Sequence, residues 1–229
     1  MPNATVSDLL ARNRAHADGL PEGHFEDVLD GQKPPVVSLC CADSRVSQEG
    51  MWNVTEPGWL FTPSNIGNVA WDLADTDSVD GNLLYPVANT GTRTVVVVGH
   101  TGCGAVTAAY EAATGGGLPA ERGIRRRVEP LVPVVEDALS GPVADGDDVI
   151  DRLVEYNVRE QVAFLHESDE IPTDATVLGF VYDFHRSYGD RRGRTYLVAV
   201  DDETDPEALR ERVGDDDEWA VRSLLSTSS

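Results

Sequence analysis

Five short apolar runs, spaced by longer amphipathic stretches, set the rhythm of this chain. Val36 to Cys40 reads as a first strand, apolar enough along its length to be central. Trp59 to Thr62 reads as a short second strand. Thr94 opens a third, whose Val95 to Val98 core is an unbroken β-branched run. Such a run fits a strand buried on both faces, as in a parallel sheet. Thr176 to Tyr182 and Thr195 to Val200 supply a fourth and a fifth. The segment His185 to Arg194 between those two is polar and turn-rich, which predicts an edge hairpin. Helices are predicted over Val6 to Ala17, Val79 to Ala88, Ala105 to Ala113, Ile124 to Leu139, Asp148 to Glu167 and Pro206 to Val213. In the fifth of these, Val149, Leu153, Tyr156, Val158, Val162 and Leu165 approximate a helical stripe. Gly31 to Pro35 is a break, Pro63 to Asn65 and Asn89 to Arg93 are turns, Gly115 to Gly123 is a glycine-rich loop, and Ser226 to Ser229 reads as a frayed tail. This alternation predicts an α/β fold: a mostly parallel central β-sheet, four parallel strands plus an antiparallel edge strand, flanked by helices. The expected organisation is one domain over 1–229, with an N-terminal helical arm (1–35), a core (36–205) and a C-terminal helix and tail (206–229).

Charge changes the picture more than length does. The 229 residues can bury a sizeable core, and they carry a formal net charge of −22 with Lys33 as the only lysine. Acidic runs lie at Asp145 to Asp151, Asp201 to Glu207 and Asp215 to Glu218. A surface this acidic repels itself in dilute buffer, whereas at molar salt the Debye length falls to ~3 Å and the repulsion is largely screened. The composition therefore reads as adaptation to high intracellular salt. No basic stripe offers itself to nucleic acid. No run approaches the roughly 18 apolar residues of a membrane span. The first twenty residues lack the basic-then-apolar pattern of a signal peptide, so a cytoplasmic location is expected. Three cysteines, Cys40, Cys41 and Cys103, two of them adjacent, make a poor disulfide framework. They are expected to be reduced and available to a metal.

The candidate chemistry sits at two strand ends. After Val98 the chain reads Gly99-His100-Thr101-Gly102-Cys103-Gly104 and then enters a helix. An imidazole and a thiol thus lie at the C-terminal end of a central strand, where open α/β sheets place their ligands. Cys41 ends the first strand in the same way. If the two strands are parallel neighbours, Cys41, His100 and Cys103 converge as a Cys2His set, an arrangement used by catalytic zinc with a fourth position left for water. Side chains alternate along a strand, so Cys40 points away from Cys41 and reads as a small buried hydrophobe. Asp43 and Arg45 follow two apart, a spacing that lets Arg45 hold the Asp43 carboxylate in a bidentate pair, ionised and aimed. A free Asp43 could instead ligate the metal and block it. Two thiolates weaken the ion as a Lewis acid, so its water is expected to have a pKa at or above the ~7 of histidine-bound zinc, with activity rising towards alkaline pH. His16, His24, His166 and His185 read as solvated surface, and Trp52, Trp59 and Trp71 as core or interface.

Cys-x-Asp-Ser-Arg at Cys41 to Arg45 and His-x-x-Cys at His100 to Cys103 together resemble the β-class carbonic anhydrases. The similarity runs more loosely from Val36 to Ala113 and through the strand end Gly179 to Asp183. The resemblance implies zinc-dependent, reversible hydration of CO2 to bicarbonate. It implies Cys41, His100 and Cys103 as zinc ligands, and Asp43 and Arg45 as the dyad that orients a zinc-bound hydroxide. It also implies a homodimer or homotetramer whose N-terminal helices wrap the partner. One departure stands out: where the family commonly shows Arg-Asn-x-x-Asn, this chain has Ser64-Asn65-Ile66-Gly67-Asn68, and the replaced arginine helps hold a regulatory bicarbonate in some members. Three other readings compete. One is a carbonyl sulfide or carbon disulfide hydrolase on the same scaffold. Another is a nucleotide-binding module built on the glycine turn, although no Lys-Ser/Thr follows its last glycine. The last is a structural zinc site with four protein ligands.

Overall fold

The computed structural model describes residues 3–143, 146 and 148–225; the Ser226 to Ser229 tail lies outside the described residues. In chain order the elements are α1 (Val6–Gly19), β1 (Val36–Cys41), α2 (Gln48–Met51), β2 (Leu60–Phe61), β3 (Ser64–Asn65), α3 (Gly81–Thr90), β4 (Thr94–His100) and α4 (Gly104–Ala113). They continue with α5 (Arg122–Val128), α6 (Leu131–Ser140), α7 (Val149–Glu167), β5 (Thr176–Asp183), β6 (Arg194–Val200) and α8 (Pro206–Arg212). The sheet order is β2-β1-β4-β5-β6, with β3 also paired to β1. β2, β1, β4 and β5 run parallel and β6 runs antiparallel to β5, as the apolar rhythm predicts. Among the described residues, no helix is long and apolar enough to cross a membrane.

The sequence expectation differs from the structure in three places. The segment read as a Pro63 to Asn65 turn carries a fourth parallel pairing, Ser64 and Asn65 lying opposite Cys40 and Cys41. Cys40 and Ala42 donate their N–H groups to Pro63 and Asn65 at 3.1 and 2.9 Å, which satisfies the outer edge of β1 just where its candidate residues begin. The helix expected over Ile124 to Leu139 is two, α5 and α6, parted at Glu129-Pro130 because Pro130 has no N–H to continue the ladder. The short α2 follows from Ser47, whose hydroxyl accepts the Gly50 N–H at 3.1 Å as an N-cap.

The main core lies between the sheet and α3, α4, α6 and α7, and includes Val37, Leu39, Val95, Val97, Val158, Val162 and Leu165. The opposite face is thinner: Cys40, Val96 and Val98 pack against Met51, Trp52 and Phe180. The longest helix, α7, presses directly on β4. A Cβ added at Gly99 would come within 2.7 Å of Val158 and 2.9 Å of Val154, so glycine is what lets the helix approach here. α7 also buries polar side chains that lash loops to the core. The Asn157 amide donates to the Gly67 carbonyl at 3.1 Å, and Gln161 Oε1 accepts the Ala70 N–H at 2.8 Å. The fully buried Glu155 carboxylate accepts from Arg159, Tyr188, Ser223 and the Leu224 N–H. By contrast α1 buries no residue, and Val6, Leu9 and Leu10 stand 74%, 61% and 60% exposed.

Candidate metal centre

Because β1 and β4 are parallel neighbours with Cys40 opposite Val98, their C-terminal tips end side by side. The pleat sends Cys40 to one face and Cys41 to the other. Burial pushes the Cys40 thiol up to about 12, so it stays neutral in the thin face of the core. Cys41 Sγ lies 3.7 Å from Cys103 Sγ. With a ring nitrogen of His100, the three candidate donor atoms lie within 4.8 Å of one another, all on buried residues.

The donors are arranged as an ion would need them. His100 Nδ1 lies 3.0 Å from the Thr101 carbonyl, an acceptor, which assigns the ring proton to Nδ1 and leaves a lone pair on Nε2. Nε2 is buried with no hydrogen-bond partner among the described residues. The Cys103 thiol is held well below its ordinary pKa chiefly by the hydrogen bond from Cys41, and Cys41 is raised by giving that bond. One proton bridging two buried sulfurs beside an unpartnered imidazole nitrogen is the arrangement a soft divalent cation replaces. The residues fit zinc: two sulfurs and one nitrogen are a recognised three-donor zinc set.

Beside them, Asp43 is clasped by Arg45. Arg45 Nε donates to Oδ1 at 2.9 Å, Nη2 to Oδ2 at 2.7 Å, and the Arg45 backbone N–H to Oδ1 at 2.8 Å. The Arg45 hydrogen bond holds the Asp43 carboxyl well below the usual carboxylate range. Oδ2 lies 3.6 Å from His100 Nε2, so the pair borders the donors without joining them. The sequence reading did not single out Phe184. Its ring lies 5.2 Å from the His100 ring and 4.8 Å beneath the Arg45 guanidinium, bridging donor and dyad.

The loop at the β4 tip is held from outside. The Thr101 N–H donates to the Tyr182 carbonyl at 3.1 Å. Thr101 Oγ1 accepts the Phe184 N–H at 2.9 Å and sits 2.9 Å from His185 Nδ1. His185 is exposed, as expected, yet it is tied to this loop. The Gly102 N–H donates to Asp151 Oδ1 at 2.7 Å, and the other Asp151 oxygen pairs with Ser187 Oγ. Ser64 accepts from the Gln48 amide at 3.0 Å. Only the Gly179 to Asp183 strand end hinted at Phe184 and His185; nothing in the local spacing pointed to Asp151.

A family model described as carbonic anhydrase matches residues 36–188. Carbonic anhydrase 2 of Mycobacterium tuberculosis is 35% identical over 170 residues, which is 72% of this chain and 77% of that protein. A carbonic anhydrase of Pseudomonas aeruginosa is 31% identical over 144 residues, 62% of this chain and 63% of that one. Among solved structures, the Coccomyxa β-carbonic anhydrase in complex with acetazolamide superposes with a TM-score of 0.71 at 25% identity, covering 91% and 92% of the two chains. The β-carbonic anhydrase CafA of Aspergillus fumigatus gives 0.66 at 28% identity, covering 90% and 95%. A tetrameric β-carbonic anhydrase of Sordaria macrospora gives 0.65 at 21% identity, covering 84% and 93%, a likeness of fold.

Proposed function

The chain belongs to the carbonic anhydrase family, in its β class, and on that premise we propose that it hydrates CO2 to bicarbonate at a zinc ion held by Cys41, His100 and Cys103, with Asp43 and Arg45 as the catalytic pair. The observation that carries this reading is the meeting of three buried soft donors within 4.8 Å at two neighbouring strand tips, bordered by a clasped carboxylate. Bound zinc would acidify a water and so provide a nucleophile at moderate pH. The chain's own residues do the rest. Asp43, kept anionic by Arg45, can only accept hydrogen bonds, so it selects and turns a donor that presents its lone pair to the substrate carbon. Arg45 holds both carboxylate oxygens and so aims Asp43 beside the donor set, with acceptor capacity left on Oδ2 for a further hydrogen bond. Phe184 backs the guanidinium and shields the His100 ring.

The test is zinc content and CO2 hydration rate in the wild type and in Cys103→Ser. About one zinc per chain and rapid hydration are expected, with both lost in the variant. Carbonyl sulfide offered in the same assay separates the related hydrolase reading.

Two further readings belong with this one. The exposed Val6, Leu9 and Leu10 of α1 support an arm covered by a second copy in a homodimer or homotetramer; light scattering with Leu9→Ser and Leu10→Ser should show a fall in mass. The net charge of −22 on an almost lysine-free chain supports a protein built for molar salt. Its thermal midpoint should rise steeply from dilute buffer to molar KCl, and equal stability in both would refute the salt reading.

A further inference from the structure

We propose that Asp151 is a positioning residue that sets the β4 tip for metal capture, acting through Gly102; the inference rests on the zinc reading above. Gly102 stands between the two donors of this tip, two residues after His100 and one before Cys103. Its φ of +63° is a left-handed conformation that favours glycine. What fixes the Gly102 N–H is a side chain 49 positions away, Asp151 Oδ1 at 2.7 Å. The second Asp151 oxygen is engaged by Ser187 Oγ. The Ser187 N–H in turn donates to Asp183 Oδ1 at 3.2 Å, a buried carboxylate that also collects the N–H groups of His185, Arg186 and Tyr188. Asp151 therefore ties the first turn of α7, the β4 tip and the β5–β6 connection to one point.

The far side of Gly102 faces the dyad: its carbonyl accepts from Arg45 Nη2 at 3.4 Å. A shift of Gly102 would displace Cys103 on one side and a partner of Arg45 on the other. Asp151 is not among the three donors and acts on the loop and on Ser187 instead. Partners hydrogen-bonded to metal ligands are worth about 10–100-fold in metal affinity, the scale taken here for a group that holds the residue between two of them.

The experiment measures zinc affinity of the full chain by competition with a chromogenic chelator, alongside the thermal midpoint of the zinc-free form. Asp151→Ala should bind zinc ~10–100-fold more weakly while its zinc-free form, though less stable, still unfolds cooperatively above the assay temperature. Asp151→Asn, whose amide oxygen still accepts the Gly102 N–H, should restore most of the affinity. Ser187→Ala should weaken binding several-fold. Wild-type affinity in Asp151→Ala overturns the proposal, as does an Asn variant as weak as the Ala one. If Asp151→Ala does not fold, Ser187→Ala decides, and unchanged affinity there overturns it. Wild-type protein that takes up no zinc at all overturns the underlying function instead, and the untreated control shows that separately.

Discussion

The two strand tips that meet at the centre are built in opposite ways. The β1 tip holds itself. Asp43 donates its N–H to the Cys41 carbonyl at 2.8 Å, Val46 donates to the Asp43 carbonyl at 3.0 Å, and Arg45 clasps Asp43 from two residues away. The β4 tip is held by the rest of the molecule. Asp151, Tyr182, Phe184 and His185 secure Thr101 and Gly102 from 49 to 84 positions away. One tip is a local motif whose geometry travels with its sequence; the other exists only inside the finished fold. Cys41 apart, changes at the first should therefore alter chemistry with the ion in place, whereas changes at the second should alter whether the ion is held.

Variants at both tips put the contrast to the test. The largest effect is expected from His100→Ala at the β4 tip, which should cut zinc affinity by more than ~100-fold, beyond what loss of an outer partner costs. Zinc retained at wild-type affinity would erase the difference between the tips. Next comes Arg45→Ala at the β1 tip. It should keep about one zinc per chain while the hydration rate, followed by stopped flow, falls ~100-fold. Phe184→Ala touches both tips and should be milder, lowering the rate roughly two- to fivefold, as loss of a half-exposed cation–π contact of ~0.5–1 kcal/mol would. The smallest effect is on stability. Asp43 has its pKa depressed in the folded state by Arg45, so the pair stabilises above the ordinary carboxylate pKa and loses that contribution as pH falls through the folded value. Arg45 is half exposed, which limits the gain to about 0.5–1 kcal/mol at pH 7. Urea midpoints of wild type and Arg45→Ala should differ at pH 7 and converge in strong acid.

This same division explains what was legible in the sequence. The apolar runs at Val36 to Cys40 and Val95 to Val98 announced two central strands, and their pleat separated Cys41 from Cys40. Asp43 and Arg45 were readable because their geometry needs only a spacing of two. Asp151 and Phe184 were not, because their partners are chosen by how α7 and the end of β5 pack on β4, and no local pattern encodes that. Ser64-Asn65 reads as a turn because two residues are too few to show alternation; only their pairing with Cys40 and Cys41 makes them a strand. The break between α5 and α6 was written at Pro130, but the apolar periodicity continues across it and masked the interruption.

The 62 positions that separate Cys41 from Cys103 bear on how the protein comes into being. Sulfurs two or three residues apart can seize an ion while the chain is still loose, and the ion then guides folding. Here His100 and Cys103 lie three apart, but the second sulfur joins them only after two remote strands have zipped together. Metallation would be a late step in biogenesis, filling a vessel already shaped, and extra zinc in a refolding mixture should leave the folding rate unchanged.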